Sequence, residues 1–258
     1  MTVEAPEFLE AGQGDAARRI AFRRRAGSGP TVIWLGGFRS DMLATKASAL
    51  DAAAEAAGAA FLRFDYGGHG ESGGRFEDLC ISTWLEDALA VISQFGGERP
   101  VLVGSSMGGW IALLVAREMA RQGRAPGAMA LIAPAVDFTE KLMWPSMPED
   151  ARQAVIRDGV WLRPSEYSDE PYPITRKLIE DGARHSMLDA PIDPGCPVHI
   201  LQGMQDPDVP WRHARHVFEA LPSVSVNLTF IKDGDHRLSR PEDIALLTRV
   251  VDALRSRV

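Results

Sequence analysis

Apolar positions along the chain come mainly in short continuous runs, each followed within a few residues by glycine, aspartate, serine or proline. Strands of a parallel sheet give this pattern, because helices cover both faces of the sheet and bury every side chain. These runs, together with an early strand-like segment, predict the strands of one sheet. They span residues 18–25, 31–35, 60–64, 101–103, 128–133, 198–201 and 224–231.

Helical segments fill the intervals between these strands. The alanine-rich first helix stops at Gly58, a typical helix end, and Pro241 suits the first turn of the last helix. The alternation predicts an α/β fold with a mostly parallel central sheet and helices on both faces. Ligands of such sheets bind outside the carboxyl ends of the strands, so functional residues are expected just after strands. The predicted helices span residues 43–57, 84–95, 107–121, 211–221 and 241–255.

The alternation of predicted strands and helices stops between residues 137 and 190. This stretch is rich in Pro, Met, Trp and Tyr and shows no strand of the buried type. It is too long for a plain connection, and long insertions are usually functional. We therefore expect a core of residues 1–136 and 191–258 and an inserted lid of residues 137–190. The alternative is a helical excursion that only completes the core.

Composition excludes several classes of protein. The 258 residues carry a net charge of −7 and no basic cluster interleaved with aromatics, which argues against a nucleic-acid partner. No apolar stretch approaches the roughly 20 residues needed to cross a bilayer. The first ten residues hold three glutamates and no apolar segment, so we expect a cytoplasmic location. Cys80 and Cys196 lie far apart, which predicts neither a disulfide nor a cysteine metal site.

The turn after the strand at 101–103 carries a pattern for nucleophilic catalysis. Residues 104–108 read G-S-S-M-G, a G-x-S-x-G pentapeptide between a predicted strand and a predicted helix. The attacking serine must lie in a strained turn with glycines two positions away on either side. Ser105 would need small residues where Val103 and Met107 stand. The pattern therefore predicts Ser106 as the nucleophile.

A serine nucleophile needs a general base and an acid that orients the base, and this type of turn expects them in the chain order Ser, Asp or Glu, His. His236 directly follows the last strand and precedes the last helix. His69 precedes the serine, and the remaining histidines fall in the insertion, in a strand or in a helix. Asp206 and Asp208 both follow the strand at 198–201. Asp206 is preferred because it lies nearer the strand end, and Asp208 is the runner-up.

The oxyanion of an acyl transfer needs backbone donors. One is the N–H after the nucleophile, on Met107, and the loop after an early strand supplies the second. Phe38 N–H in the loop at 35–39 is the predicted second donor, although glycines here also suit a simple left-handed turn. Arg39 would meet an anionic group of the substrate. Trp144 and Trp161 would line an apolar acyl site together with Met143, Met147, Tyr167 and Tyr172, and packing onto the core is the alternative for each.

Several blocks resemble the α/β-hydrolase superfamily over nearly the whole chain. Residues 65–72 resemble its D-x-x-G-x-G-x-S turn, and residues 203–210 resemble its G-x-x-D-x-x-V-P block, which favours Asp206 as the acid. The resemblance implies an α/β-hydrolase fold and the triad Ser106, Asp206 and His236. Gln202 stands where the superfamily often has histidine. Blocks at 63–66, 103–110, 195–197, 209–211 and 235–237 are most similar to acyl-protein thioesterases and acyl-glucuronide esterases.

The sequence thus predicts a serine hydrolase that cleaves carboxylic esters or thioesters through an acyl-enzyme. Its partner is an acylated or other small-molecule substrate, and the chemistry requires no metal or organic cofactor. Epoxide hydrolases and dehalogenases of this fold carry aspartate where Ser106 stands. Two other classes remain: a non-hydrolytic enzyme of the same fold, such as a lyase or a cofactor-free haloperoxidase, and a binding protein that has lost activity.

Overall fold

The computed structural model describes residues 5–164, 171–222 and 225–258. Within these residues an eight-stranded sheet has the order β1-β2-β4-β3-β5-β6-β9-β10. The pairs β1–β2 and β2–β4 are antiparallel, whereas the six strands from β4 to β10 in this order are parallel. The strands of this sheet are β1 Glu7–Ala11, β2 Arg18–Arg25, β3 Ser28–Leu35, β4 Ala59–Phe64, β5 Val101–Ser105, β6 Ala128–Ile132, β9 Val198–Gly203 and β10 Val226–Ile231; β7 Val160–Arg163 and β8 Tyr172–Thr175 form a separate antiparallel pair.

Helices cover both faces of the sheet, and the alternation of side chains along β5 shows this directly. Leu102 joins the apolar cluster formed with the helices at Ile81–Phe95 and Met107–Arg121. Its neighbours Val101 and Val103 join the opposite cluster, formed with the helices at Thr45–Ala56 and Pro241–Arg255. The predicted mostly parallel α/β fold is confirmed. The helices are α1 Thr45–Ala56, α2 Ile81–Phe95, α3 Met107–Arg121, α4 Trp144–Ser146, α5 Glu149–Asp158, α6 Arg176–Arg184, α7 Trp211–Ala220 and α8 Pro241–Arg255.

Of these helices, α3 is the most deeply buried, and it begins directly after the predicted nucleophile. Its side chains from Met107 to Ala116 are at most 1% exposed. A helix that is apolar all round lies in the core of the molecule, and full burial of each large side chain is worth about 1.5–3 kcal/mol. The turn between β5 and α3 is therefore anchored at both ends by buried elements.

Residues 137–190, called the insertion below, contribute no strand to the eight-stranded sheet among the residues described. They form a short π-helix at Thr139–Met143, the helices α4, α5 and α6, and the antiparallel pair β7–β8. This strand pair was not predicted from the sequence. Tyr167 lies outside the described residues. That the insertion acts as a lid stays a prediction.

One carboxylate joins the two ends of the insertion. Asp137 is 1% exposed, and its side chain accepts hydrogen bonds from the backbone N–H groups of Met187 and Leu188, both at 2.9 Å. Asp137 itself has φ of 55°, in the left-handed region. The chain thus leaves the core and returns to it at nearly the same point. In the described ranges no helix is long and apolar enough to span a membrane.

Candidate active site

The turn between β5 and α3 has the strained backbone that the pentapeptide predicts. Ser106 has φ of 54° and ψ of −119°, which costs a non-glycine residue about 1–3 kcal/mol. Two backbone bonds hold it there. Ser106 N–H donates to the carbonyl of Ile132 at 2.8 Å, and Ala135 N–H donates to the carbonyl of Ser106 at 3.1 Å. The adjacent strand β6 and the loop after it therefore fix the serine in position.

The glycines that flank Ser106 are required by close backbone contacts. A Cβ atom on Gly104 would lie 2.4 Å from the carbonyl oxygen of Gly108, and a Cβ atom on Gly108 would lie 2.1 Å from that of Leu35. No side chain fits at either position without moving the backbone. Ser105 ends β5 and is 7% exposed, whereas Ser106 is more open to solvent. The structure thus separates the two adjacent serines.

The predicted acid and base meet at the carboxyl edge of the sheet. Asp206 follows β9 and His236 follows the neighbouring parallel strand β10. The Nδ1 atom of His236 lies 2.8 Å from Oδ2 of Asp206, which is buried. A carboxylate can only accept, so Nδ1 is the nitrogen that carries the proton, and in the neutral ring Nε2 has the free lone pair. Asp208, the runner-up acid, is exposed.

The carboxylate of Asp206 is held by further donors. Its Oδ1 accepts from the backbone N–H groups of Asp208 at 2.9 Å and Val209 at 2.8 Å. Its Oδ2 accepts from Nε2 of Gln202 at 3.1 Å, and Gln202 is fully buried. Sequence reasoning noted Gln202 only as a departure from the superfamily. The structure shows that its amide helps to hold the carboxylate of Asp206, the predicted acid, in place.

The loop after β3 passes beside Ser106. A Cβ atom on Gly37 would lie 3.4 Å from Cβ of Ser106, so the two backbones are in close approach. Within the described ranges neither Phe38 N–H nor Met107 N–H donates to an acceptor of the protein. Both groups are thus available to a ligand atom. Their assignment as the oxyanion donors stays a prediction.

The residues predicted to bind substrate have different surroundings. The guanidinium of Arg39 is exposed next to this loop and lies 4.9 Å from the ring centroid of Tyr172. The ring of Phe38 packs against an aromatic cluster of the core and the insertion. Trp144 and Trp161 are half-buried and pack against the apolar core, which is the alternative that the sequence left open. The cluster around Phe38 consists of Phe76, Trp84, Phe138 and Tyr172, with ring centroids 5.1–6.1 Å away.

Asp206, Asp208 and His236 each place one potential metal-ligand atom within 4.8 Å of the others. However, Nδ1 of His236 and both carboxylate oxygens of Asp206 already take part in hydrogen bonds with protein groups. A metal ion would have to displace these bonds. The donor set therefore fits an acid–base pair better than a metal site.

Comparison with known proteins relates the chain to hydrolases. A profile of the alpha/beta hydrolase family matches residues 13–245. The mitochondrial palmitoyl-protein thioesterase ABHD10 of Bos taurus is 35% identical over 91% of this chain and 76% of its own length. The human protein of the same name is 34% identical over the same shares. The expected cytoplasmic location is therefore wrong, because these relatives are named as mitochondrial proteins.

Two solved structures share the fold over almost the full chain. A hydrolase from Agrobacterium vitis, described as putative in its name, superposes with a TM-score of 0.93 at 48% identity, covering 97% of this chain and 98% of its own. The mouse alpha/beta hydrolase domain-containing protein 10 superposes with a TM-score of 0.86 at 32% identity, covering 98% and 99%. The chain therefore belongs to the alpha/beta hydrolase family and is an enzyme of the hydrolase class.

Proposed function

We propose that the protein cleaves carboxylic esters or thioesters with Ser106 as nucleophile, His236 as general base and Asp206 as the acid that orients the base. The observation that carries this proposal is the 2.8 Å hydrogen bond between Asp206 and His236, at the sheet edge where the strained turn presents Ser106. A buried carboxylate bound to Nδ1 leaves Nε2 as the only acceptor on the ring. That is the arrangement a hydroxyl nucleophile needs.

The reaction follows from this arrangement. Ser106 Oγ attacks the acyl carbonyl while Nε2 of His236 accepts its proton. Phe38 N–H and Met107 N–H stabilise the oxyanion, and Asp206 stabilises the imidazolium. Collapse releases the leaving group and leaves the acyl group on Ser106. An alkoxide leaves with the proton from His236, whereas a thiolate needs little help; water then deacylates the enzyme through the same base.

The substrate class is proposed from the relatives and the surroundings of the serine. Proteins named palmitoyl-protein thioesterase match 91% of the chain, which supports an acyl thioester as substrate. The aromatic cluster around Phe38 supplies apolar surface next to the predicted oxyanion loop. We place the acyl chain against this cluster under a lid formed by the insertion, with Trp144 and Trp161 on its lining. An exposed Arg39 suits an anionic leaving group.

The proposal is tested with purified wild type, Ser106→Ala and the matched control Ser105→Ala. The substrates are a short aryl ester, an S-palmitoylated peptide and an acyl glucuronide. The wild type and Ser105→Ala should turn over at least one of them, and Ser106→Ala should lose a factor of roughly 10⁴ or more in kcat. Equal turnover by Ser106→Ala would refute the mechanism. Turnover of only the aryl ester would leave the mechanism standing and refute the substrate class.

A further inference from the structure

A buried histidine outside the proposed triad lies behind the oxyanion loop. His69 belongs to the glycine-rich turn after β4 and is 4% exposed. The rings of Tyr66, Phe76 and Trp84 surround it edge-on, with centroids 5.8, 5.3 and 5.3 Å from its own. A polar ring in such surroundings is stable only if its nitrogens are hydrogen-bonded.

Both ring nitrogens have partners, and the partners fix the tautomer. Nδ1 lies 3.1 Å from the carbonyl oxygen of Gly67, which can only accept. The backbone N–H of Arg39 donates to Nε2 at 3.1 Å, so Nε2 must carry a lone pair. His69 is therefore neutral with its proton on Nδ1. Burial, with a smaller effect of the Arg39 charge, lowers the pKa of His69 to about 4, which keeps the ring neutral near pH 7.

Arg39, whose N–H donates to Nε2 of His69, has an unfavourable backbone conformation. Arg39 has φ of 58°, in the left-handed region that a non-glycine residue seldom adopts. Its N–H belongs to the same planar peptide as the carbonyl of Phe38. A hydrogen bond to Arg39 N–H thus fixes the peptide on one side of Phe38 and limits how its own N–H can turn. Ser40 N–H closes the same loop onto the carbonyl of Gly37 at 3.1 Å.

On the Nδ1 side of its ring, His69 is linked to the core by hydrogen bonds through Gly67. The carbonyl of Gly67 also accepts a bond from Nε1 of Trp84 at 3.1 Å, and Gly67 N–H donates to the buried carboxylate of Asp87 at 2.8 Å. Trp84 and Asp87 both lie on α2. A continuous chain of hydrogen bonds therefore runs from α2 through Gly67 and His69 to the oxyanion loop.

We propose that His69 is a positioning residue that holds the oxyanion loop, so that Phe38 N–H points to the place where the negative charge develops. This inference rests on the proposed function, since it concerns the same reaction. His69 touches no reacting atom and acts only through Arg39 N–H. The bond is made in the free enzyme, so the donor is in place before the transition state forms, which is where such preorganisation lowers the barrier.

Two substitutions separate positioning from packing. His69→Phe keeps an aromatic ring among the neighbouring rings and removes the acceptor for Arg39 N–H. His69→Gln replaces the ring and offers an amide oxygen at the reach of Nε2. We expect kcat for a hydrolysed ester to fall about 10- to 100-fold in His69→Phe, below the 10²–10³ for deleting a donor outright, with little change in KM. His69→Gln should recover most of the loss.

Three kinetic results would overturn the inference. They are wild-type kcat in His69→Phe, equal losses in His69→Phe and His69→Gln, or a loss confined to KM. A measurement on the wild type alone remains decisive if a variant does not fold: ¹⁵N–¹H spectra of the imidazoles, with the His69 ring assigned by through-bond correlation to its own backbone. We expect a neutral His69 protonated on Nδ1 at pH 6, and a proton on Nε2 would refute the proposal. A wild type without turnover, or an active Ser106→Ala, refutes the proposed function instead.

Discussion

The carboxyl edge of the sheet and the insertion are held by different forces. At the edge, backbone atoms and buried side chains fix two predicted site residues: Ser106 through β6 and the loop after it, and Asp206 through Gln202 and two backbone N–H groups. The insertion relies on apolar packing and a few anchors such as Asp137. It also leaves Ile156 and Leu162 53% and 57% exposed.

This difference between the carboxyl edge and the insertion indicates where the protein tolerates substitutions. A site built on the close backbone approaches of Gly104 and Gly108 cannot accept even a methyl group at those positions. The insertion shows exposed apolar residues and surface ion pairs, for example Lys141 with Asp189 at 2.8 Å, that cost little to alter. We therefore expect reaction chemistry to depend on the edge, and preference among acyl groups to depend on the insertion.

After removal of the nucleophile itself, the largest effect on activity is expected from substitution of the predicted acid at the carboxyl edge. Asp206→Asn should lower kcat by about 10⁴, because the amide no longer fixes the Nδ1–H tautomer or stabilises the imidazolium. Asp208→Asn is the matched control two residues away and exposed. It should leave kcat nearly unchanged, because the carboxylate hydrogen-bonded to Nδ1 of His236 is that of Asp206. Steady-state kinetics on one ester decide, and a larger loss in Asp208→Asn would reverse the assignment.

A methyl group at the edge should be almost as damaging. In Gly108→Ala the new Cβ would meet the carbonyl oxygen of Leu35 at 2.1 Å, so the turn and the oxyanion loop must separate. We expect at least about a 10³-fold loss of kcat, comparable to loss of an oxyanion donor. Gly73→Ala is the control, because its Cβ would meet its nearest neighbour at an ordinary 3.6 Å. Near-normal activity in Gly108→Ala would show that the edge is less rigid than we infer.

The free energy of unfolding should depend on pH through the titration of His69. This dependence distinguishes His69 from the other residues at the carboxyl edge of the sheet. With a folded pKa of about 4 against about 6.5 unfolded, the unfolded chain binds the extra proton between these values. The free energy of unfolding should therefore fall as pH drops from about 6.5 to 4, by up to about 3 kcal/mol from this residue.

Chemical denaturation at several pH values, compared between wild type and His69→Gln, measures this contribution. The variant should lose it. Asp87, whose pKa burial raises to about 6, titrates in the same window in both proteins and largely cancels in the difference. Parallel pH profiles of wild type and variant would show that His69 is not buried in its neutral form.

In the insertion, the expected effects are on stability and substrate preference. Asp137→Ala removes the acceptor for two buried N–H groups and should cost about 2 kcal/mol. Turnover of a long-chain acyl substrate should fall more than that of a short ester. Asp189→Ala, at a carboxylate 71% exposed, should cost much less, because a surface ion pair contributes little to stability. Equal losses with both substrates would contradict the division between edge and insertion.

The smallest expected effect is at the surface of the insertion. Leu162 is 57% exposed in β7, so Leu162→Gln should change the free energy of unfolding by no more than about 0.5 kcal/mol. Thermal unfolding and kinetics on a short ester check this. A strongly destabilised variant would contradict the exposed position of Leu162.

The sequence predicted the elements that carry strong local signals. β2 and α3 have the predicted bounds, Arg18–Arg25 and Met107–Arg121. The local signal of α3 is strong because its first ten residues are all apolar and buried. β1 escaped prediction since only Ala11 of its five residues is buried. β7 and β8 have four residues each, and all of these residues except Ile174 are partly or fully exposed.

The site was predictable where residue type and chain order suffice. Ser106 and His236 follow from the pentapeptide and the order of strands, whereas residue type left Asp206 and Asp208 both open. Asp206 follows β9 and His236 follows the neighbouring strand β10, and the hydrogen bond between their side chains places Asp206 next to the histidine. Gln202 and His69 carry no local signal, because their bonds join loops that only the folded sheet brings together.

The central claim is that Ser106, and not the adjacent Ser105, attacks the substrate. The most direct measurement is to react the wild type with a fluorophosphonate, digest it and locate the adduct by fragment-ion mass spectrometry. We predict a single adduct on Ser106, made slowly or not at all in Asp206→Asn. An adduct on Ser105, or none on either serine in an enzyme that hydrolyses esters, would contradict the account.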